Sequence, residues 1–207
     1  ENFDISRNYY KYKAKSLGVK QLGYHDRHVP LGNATKEYQY SEAMDIVKNT
    51  FYSLDKEFGD IVERFQLNGQ YDVYPQKGKS GGAFCINVSK SLPTYILLNH
   101  NMKVHDVLTI AHESGHGIHS ELSKSQSAVN SDYPTSLAET ASTFFEDFTL
   151  QNILETVNKE ERYTILGQKM HNDVSTIFAQ VALYNFETEL HKEFRQKGYV
   201  DRDTISE

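Results

Sequence analysis

Apolar residues recur at helical spacing through most of this chain, and residues 71–98 interrupt that pattern. The helical pattern predicts a helix ending near Gly18, a long helix capped by Ser41, and further helices over residues 102–122, from 134–136 onward, and 159–197, with Gly167 as a candidate break. Three short β-branched or aromatic segments, 71–74, 83–88 and 94–98, predict a small sheet. We therefore expect a mainly α fold with a small antiparallel β-sheet over residues 71–98, within one region covering residues 1–207.

Charge and composition exclude several classes of protein. The 207 residues carry 22 basic and 28 acidic side chains, a formal net charge of −6, so the basic surplus typical of nucleic-acid binding is missing. No apolar run approaches the roughly 18 residues of a membrane span. Cys85 is the single cysteine, which rules out an intrachain disulfide and favours a reducing compartment. We expect a cytoplasmic protein that binds neither nucleic acid nor membranes.

The segment His-Glu-Ser-Gly-His at residues 112–116 is the strongest chemical signal. Positions i and i+4 share one face of a helix, so His112 and His116 can chelate one metal ion, and neutral imidazoles suit Zn²⁺. Glu113 lies one residue round the helix, beside the metal, where a general base for an activated water belongs. The alternative is a solvent-facing helix that carries His and Glu by chance.

A zinc site that activates water needs a third protein ligand and one open position. Glu139 lies among small residues on the next predicted helix, where that helix could pack closely against the motif helix. Gly115 and Gly117 are costly inside a helix, and close backbone approach would account for them. The alternative for Glu139 is a capping box with Ser136, because Ser-x-x-Glu has that form.

Three further polar residues are candidates for the surroundings of the metal. Glu146 lies on the same helix face as Glu139 and could accept a hydrogen bond from a ligand imidazole, or be an ordinary surface carboxylate. Thr143 is a weaker candidate for the same role. His119 could contact substrate or be a partly buried histidine. The predicted metal-binding helices together cover residues 102–198.

Residues 112–119 (HESGHGIH) and 137–146 (LAETASTFFE) resemble the oligoendopeptidase F branch of the thimet-oligopeptidase-like zinc metallopeptidases. That family carries HExGHxxH followed by a Glu on the next helix, and here Glu139 comes 23 residues after His116. The glycine-rich segment 78–84 and the stretch 178–187 are also similar. The resemblance covers nearly the whole chain.

This resemblance implies a zincin-like helical core with a small sheet flanking a deep cleft. It implies one Zn²⁺ per chain held by His112, His116 and Glu139, and short unstructured peptides as substrates. Gly82, Ala83 and Phe84 would then contact the peptide, which pairs with the sheet edge at residues 83–87. Family members are considerably longer and stabilise the oxyanion with groups from a C-terminal segment beyond this chain's last residues. We therefore expect a catalytic-core fragment with little turnover of its own.

The sequence thus predicts a zinc-dependent endopeptidase in which Glu113 takes a proton from water and passes it to the leaving amine. One alternative is a zinc exopeptidase that holds a substrate terminus with Lys79. The other is a non-catalytic, zinc-structured interaction domain, which would close its site with a fourth protein ligand.

Overall fold

The computed structural model of the protein describes residues 2–32 and 36–206. Helices account for 67% of it, which confirms the mainly α prediction. The α-helices are α1 (Phe3–Ser16), α2 (Tyr40–Leu54), α3 (Lys56–Leu67), α4 (Val104–Ser123), α5 (Thr135–Thr156), α6 (Lys159–Lys197) and α7 (Arg202–Ser206), and the strands are β1 (Tyr71–Asp72), β2 (Phe84–Ile86) and β3 (Tyr95–Leu97). Short 3₁₀ helices span Tyr24–His28 and Ala128–Asn130.

The chain divides into two compact units, one made of residues 1–34 and 159–207 and the other of residues 35–158. The prediction of a single catalytic-core region stays a prediction. Within the described residues, no helix combines the length and the apolar character needed to cross a bilayer.

The middle unit is built around α4, which packs against α5 and α2. The rings of Phe51 on α2 and Phe145 on α5 lie 4.4 Å apart between centroids, and both side chains are buried. Of the apolar residues at helical spacing on α4, Val107, Ala111 and Ile118 are buried, whereas Leu122 is exposed. Burial of this face, rather than local helix propensity, is what holds α4 in place. Other buried side chains here include Met44, Val47, Ile61, Val62, Phe65, Ile110, Ile118 and Ile153.

Two predicted helix features in this unit are wrong. The long helix expected through Phe65 is two helices, because Asp55 has an extended backbone (φ −158°) and its Oδ1 accepts a hydrogen bond from the Glu57 N–H at 2.7 Å. Asp55 is therefore the N-cap of α3, a role that carboxylates favour. Ser41 is not the cap of α2, since that helix begins at Tyr40 after Gln39.

The sheet has the strand order β1-β3-β2, and its predicted antiparallel character is half right. Phe84 pairs with Leu97 and Cys85 with Ile96 in antiparallel register, as expected. β1 pairs with β3 in parallel, with Tyr71 opposite Ile96, so the prediction is wrong for this pair. The sheet is mixed, since its central strand β3 pairs in parallel with β1 and in antiparallel with β2.

The other unit brings α1 and α6 together. The buried ammonium group of Lys13 donates a hydrogen bond to the carbonyl of Arg27, and burial lowers the pKa of Lys13. His171 on α6 is also buried, and its ring stacks on that of Tyr9 at 6.1 Å between centroids. α6 runs without interruption through Gly167, so the break considered there does not occur.

Candidate metal centre

α4 presents its two motif histidines on one face. The rings of His112 and His116 lie 4.9 Å apart between centroids. Behind them, the Tyr71 hydroxyl of β1 lies 2.8 Å from the Ser114 hydroxyl, which links the sheet to the opposite side of the helix. At the start of α4, the Asp106 carboxylate accepts the Lys103 N–H at 2.8 Å. These contacts fix both the start of α4 and its rotation, and so the direction of its histidine face.

A close helix crossing brings α5 to this face. A Cβ on Gly115 would lie 2.9 Å from the Cα of Ser142 and 3.1 Å from the carbonyl oxygen of Ala141, so only glycine allows α5 to approach this closely. The expected close backbone approach is therefore present at Gly115. At Gly117 the neighbour is different, because an added Cβ would lie 2.6 Å from the ring of Phe65.

Three potential metal ligands converge at this crossing. The Nε2 atoms of His112 and His116 lie 3.3 Å and 3.7 Å from Oε2 of Glu139. The three ligand atoms are all within 4.8 Å of one another. Two atoms each about 2.0–2.1 Å from a tetrahedral zinc ion are about 3.4 Å apart, so this donor set has the chemistry and the spacing for Zn²⁺. Within the described residues this group offers three ligands, which leaves one position of a tetrahedral ion open.

The competing capping box at Glu139 does not form. The N-cap of α5 is Pro134, and the Ser136 carbonyl accepts a hydrogen bond from the Thr140 hydroxyl at 2.9 Å inside the helix. The Glu139 carboxylate turns toward the histidines instead, and its Oε2 accepts a hydrogen bond from the Ser142 hydroxyl at 2.9 Å. The hydroxyl of Thr143 donates to the Glu139 carbonyl, so this hydrogen bond stays within the backbone of α5 and does not reach an imidazole.

Glu146 lies beside the first histidine. Its Oε2 is 3.0 Å from Nδ1 of His112, and a carboxylate accepts here, so Nδ1 carries the proton and Nε2 keeps its lone pair for a metal. Burial alone would lower the pKa of His112, but the Glu146 hydrogen bond and the Glu113 carboxylate raise it overall. Burial lowers the pKa of His116.

Glu113 points into the same cleft as the three ligands. Its side chain is buried, with 7% of the residue exposed, and its Oε2 has no hydrogen-bond partner. The backbone N–H of Cys85 donates a hydrogen bond to the carboxylate. Burial raises the pKa of Glu113 and the Glu139 carboxylate adds to this, while His112 and the Cys85 N–H oppose it. An unpartnered buried carboxylate oxygen next to a metal position is suited to take up a proton.

The cleft around these groups has a volume of about 580 Å³. Its lining comprises Ala83, Phe84, Cys85, Asn87, His112, Glu113, His116, Ser120, Ser131, Asp132, Tyr133, Ala138 and Glu139. Of the predicted substrate-contacting residues, Ala83 and Phe84 lie in it. Gly82 lies outside the lining, and its carbonyl accepts a hydrogen bond from the Asn99 side chain at 2.8 Å. His119 is also outside, stacked on Tyr133 at 3.9 Å between centroids.

The wall formed by β2 is a free strand edge. β2 is an edge strand of the sheet, and the Ile96 N–H donates to the Gln70 carbonyl on the β1 side of β3. Because Cys85 is the partner of Ile96, the alternation of an antiparallel ladder turns the Cys85 peptide groups away from β3, toward the cleft. The same alternation turns Ala83 and Asn87 outward. An extended peptide could therefore pair with this edge.

Sequence reasoning missed the wall opposite β2. Asp132 and Tyr133 line the cleft, and the Tyr133 hydroxyl lies 3.1 Å from the Ser120 hydroxyl. Both residues directly precede α5, the helix that carries Glu139, and that proximity in sequence was the available signal. Cys85 lines the cleft as well, and burial raises the pKa of its thiol to about 12.

Lys79 is not placed to hold a substrate terminus. Its side chain is 3% exposed, and the ammonium group donates to Oδ1 of Asp72 at 2.9 Å and to the carbonyls of Asp72 and Tyr74 at 3.1 and 2.9 Å. Lys79 does not belong to the cleft lining. It holds the glycine-rich turn against β1, which is a structural role. The exopeptidase alternative depended on Lys79 binding a substrate terminus, and the position of Lys79 does not support it.

Comparison with known proteins shows what this chain is similar to. The model of peptidase family M3 matches residues 9–207. An oligoendopeptidase F homolog of Lactococcus lactis subsp. lactis is 28% identical over 194 residues, covering 93% of this chain and 32% of the relative. The group B oligopeptidase PepB of Streptococcus agalactiae is 30% identical over 189 residues, covering 90% of this chain and 31% of the relative. The chain thus spans about a third of the length of the curated relatives it matches.

A solved structure shares the fold. The crystal structure of a Chlamydophila abortus protein assigned as a peptidase superposes with a TM-score of 0.78 at 32% identity, covering 95% of this chain and 33% of that one. The helical architecture with a small sheet is therefore that of a known peptidase-like fold.

Proposed function

The chain belongs to peptidase family M3, and on that premise we propose that it carries the catalytic centre of a zinc-dependent endopeptidase that hydrolyses internal bonds of short peptides. The observation that carries the proposal is the convergence of Nε2 of His112, Nε2 of His116 and the Glu139 carboxylate beside the unpartnered oxygen of Glu113. Relatives named oligoendopeptidase F support the endopeptidase mode and the class of substrate.

The roles of the residues follow from their positions. Zn²⁺ bound to His112, His116 and Glu139 would supply a Lewis acid that polarises the scissile carbonyl and acidifies water. Glu146 holds the His112 ring with its Nε2 lone pair toward the metal position. Glu113 takes a proton from the attacking water and delivers it to the leaving amine. No covalent intermediate is needed.

The substrate backbone pairs with the outer edge of β2. The outward peptide groups of Ala83 and Asn87 offer hydrogen bonds to an extended peptide, on either side of Cys85, whose N–H contacts Glu113. A peptide on this edge passes the general base at mid-strand, with residues on both sides of the scissile bond. A short unstructured peptide has its whole backbone available for this pairing, which is why we propose such peptides as substrates.

The test is cleavage of an end-blocked, internally quenched peptide by the zinc-loaded protein and by its Glu113→Gln variant. We expect the variant to keep its zinc and to lose about 10²–10⁴-fold in rate, the usual effect of removing a general base. Glu155→Gln, an exposed position on α5, is the matched control and should cleave like wild type. Equal rates for Glu113→Gln and wild type would reject the mechanism, and cleavage of free-ended peptides alone would favour an exopeptidase.

We infer a cytoplasmic location from the single cysteine and no contact with nucleic acid from the net charge of −6. The non-catalytic alternative requires a fourth protein ligand. The metal-binding group found within the described residues has three.

A further inference from the structure

A second, smaller cavity adjoins the metal cleft at the C-terminal end of β2. Its volume is about 190 Å³, and it shares Asn87, Ser120, Ser131 and Asp132 with the lining of the cleft. Beyond these shared residues, the chain turns into the segment 88–90. The cavity is thus a continuation of the cleft along the β2 edge rather than a separate site.

Two lysines place positive charge in this cavity. Lys90 and Lys124 both line it, Lys90 from the segment after β2 and Lys124 from the end of α4. The Lys90 ammonium group donates to the carbonyl of Gln126, and that of Lys124 donates to the Leu92 carbonyl at 3.0 Å. Backbone carbonyls carry no net charge, so these contacts position both ammonium groups without neutralising them. Each ammonium group has three donors, so a single backbone contact does not use all of them.

The charges around the two lysines do not cancel. Glu121 pairs with Lys124 at 2.6 Å, and it also pairs with Arg64 at 3.1 Å. Arg64, Lys90 and Lys124 together line a further groove next to this cavity, in which Glu121 is the one acidic residue. Asp132 opposes them only from the wall shared with the metal cleft. A local positive surface in a chain of net charge −6 is suited to bind an anion.

The position of the cavity fixes which part of a peptide could reach it. A strand advances about 3.3 Å per residue, so Asn87 lies about 7 Å along the edge from Cys85, where the scissile bond passes Glu113. A peptide paired with β2 therefore places a residue two to four positions from the scissile bond at this cavity.

We propose that this cavity is a subsite that binds a carboxylate of the peptide, held by Lys90 and Lys124. The carboxylate comes either from an Asp or Glu side chain or from the free C-terminus of a short peptide. The proposal rests on the proposed peptidase function, since it assigns a substrate preference to that same cleft.

The first experiment measures kcat/KM of the zinc-loaded protein on end-blocked peptides. The peptides carry Glu or Gln in turn at the second, third and fourth positions on each side of the scissile bond. A second arm compares free and amidated C-termini at the same distances. We expect one position to favour the carboxylate about fivefold, the size of a partly exposed ion pair. The arm that shows the preference identifies the source of the carboxylate, and equal values for all pairs in both arms would overturn the proposal.

Variants of Lys90 connect that preference to the cavity. Lys90→Met should remove most of the preference, Lys90→Arg should retain it, and Lys90→Glu should shift it toward a Lys-bearing peptide. The reversal cannot come from a loosened loop, which would weaken binding of all peptides alike. Lys56→Met, an exposed position on α3, is the control and should keep the wild-type preference. A preference unchanged in Lys90→Glu would refute the assignment.

Binding separates this proposal from the function on which it depends. Fluorescence anisotropy of a labelled Glu or Gln peptide on the zinc-loaded Glu113→Gln protein needs no turnover. Tighter binding of the Glu peptide with no cleavage by wild type would support the subsite and reject the peptidase function. Cleavage by wild type with equal binding of the two peptides would support the peptidase function and reject the subsite.

Discussion

Oε2 of Glu146, about two helix turns beyond Glu139 on α5, lies 3.0 Å from Nδ1 of His112. This contact fixes which nitrogen of the imidazole carries the proton. In the proposed site, α5 thus supplies both the ligand Glu139 and the carboxylate that orients the ligand His112, so the docking of this one helix determines the geometry of both. The effects expected for Glu146, Glu139 and Gly115 follow from this dependence.

Glu146→Gln should weaken zinc binding about 10–100-fold, because an amide supports the His112 tautomer less well than a carboxylate does. The measurement is competition with a chromophoric chelator. Asp147→Asn, the neighbouring position, whose carboxylate accepts a hydrogen bond from Gln151, is the control and should bind zinc like wild type. Equal affinities for Glu146→Gln and wild type would mean that the contact does not tune the site.

Glu139→Ala should abolish stoichiometric zinc binding while leaving the helix content unchanged, because two imidazoles alone bind the metal weakly and Glu139 is half-exposed. Metal analysis after gel filtration and far-ultraviolet circular dichroism measure the two effects. Glu155→Ala on the same helix should retain one zinc. A full zinc complement in Glu139→Ala would show that another group is the third ligand.

Gly115→Ala should destabilise the protein by about 1–3 kcal/mol, although alanine favours helices by up to about 1 kcal/mol over glycine. The added Cβ would lie 2.9 Å from the Cα of Ser142, so α5 must move away and carry Glu139 with it. Urea unfolding and zinc titration of the same variant measure both consequences. His105→Ala, at an exposed position of α4, should have neither. Unchanged stability with unchanged zinc affinity would show that the crossing tolerates a side chain.

The stability of the protein should fall in mild acid because of His171. Burial, together with the charges of Lys13, His28 and Arg27, lowers the pKa of this imidazole in the folded state. Below about pH 6.5 the unfolded chain therefore binds more protons at His171 than the folded chain does. The contribution of His171 to the free energy of unfolding is fully present above that pH and is lost as the pH falls below it.

The measurement for His171 is urea unfolding at pH 7 and pH 5, in wild type and His171→Gln. The variant should lose less stability than wild type between the two values, by up to 1.4 kcal/mol per pH unit for about one proton. Burial also lowers the pKa values of His116 and His119. Their effects on stability are the same in both proteins and cancel in the comparison. His191→Gln on the exposed face of α6 should behave like wild type. Identical losses in all three would reject the role of His171.

Cys85 should react slowly with alkylating reagents. Burial, and then the Glu113 and Glu121 carboxylates, raise the pKa of its thiol to about 12, so little thiolate exists near pH 7.5. We expect iodoacetamide to modify it at least about a hundredfold more slowly than a free cysteine. Unfolding in urea should restore the rate of the free amino acid. Fast modification of the folded protein would show that the thiol is activated.

The sequence alone was enough for features that depend on short separations along the chain. An i, i+4 spacing puts His112 and His116 on one face whatever the helix packs against, and a glycine inside that helix indicated a close neighbour. Glu146 could be placed near the ligands because it is seven residues from Glu139 on one helix. The mainly α class and the family resemblance followed from patterns of this kind, and both are confirmed.

Only the tertiary structure decided the relationships between distant segments. The distance between Glu139 and the histidines depends on how α5 docks at Gly115, and the contact of Cys85 with Glu113 depends on which strand lies at the sheet edge. The same holds for Lys79, whose charge suggested substrate binding until its three acceptors near β1 were in view. Spacing within a helix is set by covalent geometry and hydrogen bonding, whereas distances between elements are set by how whole faces pack, which no short stretch of sequence contains.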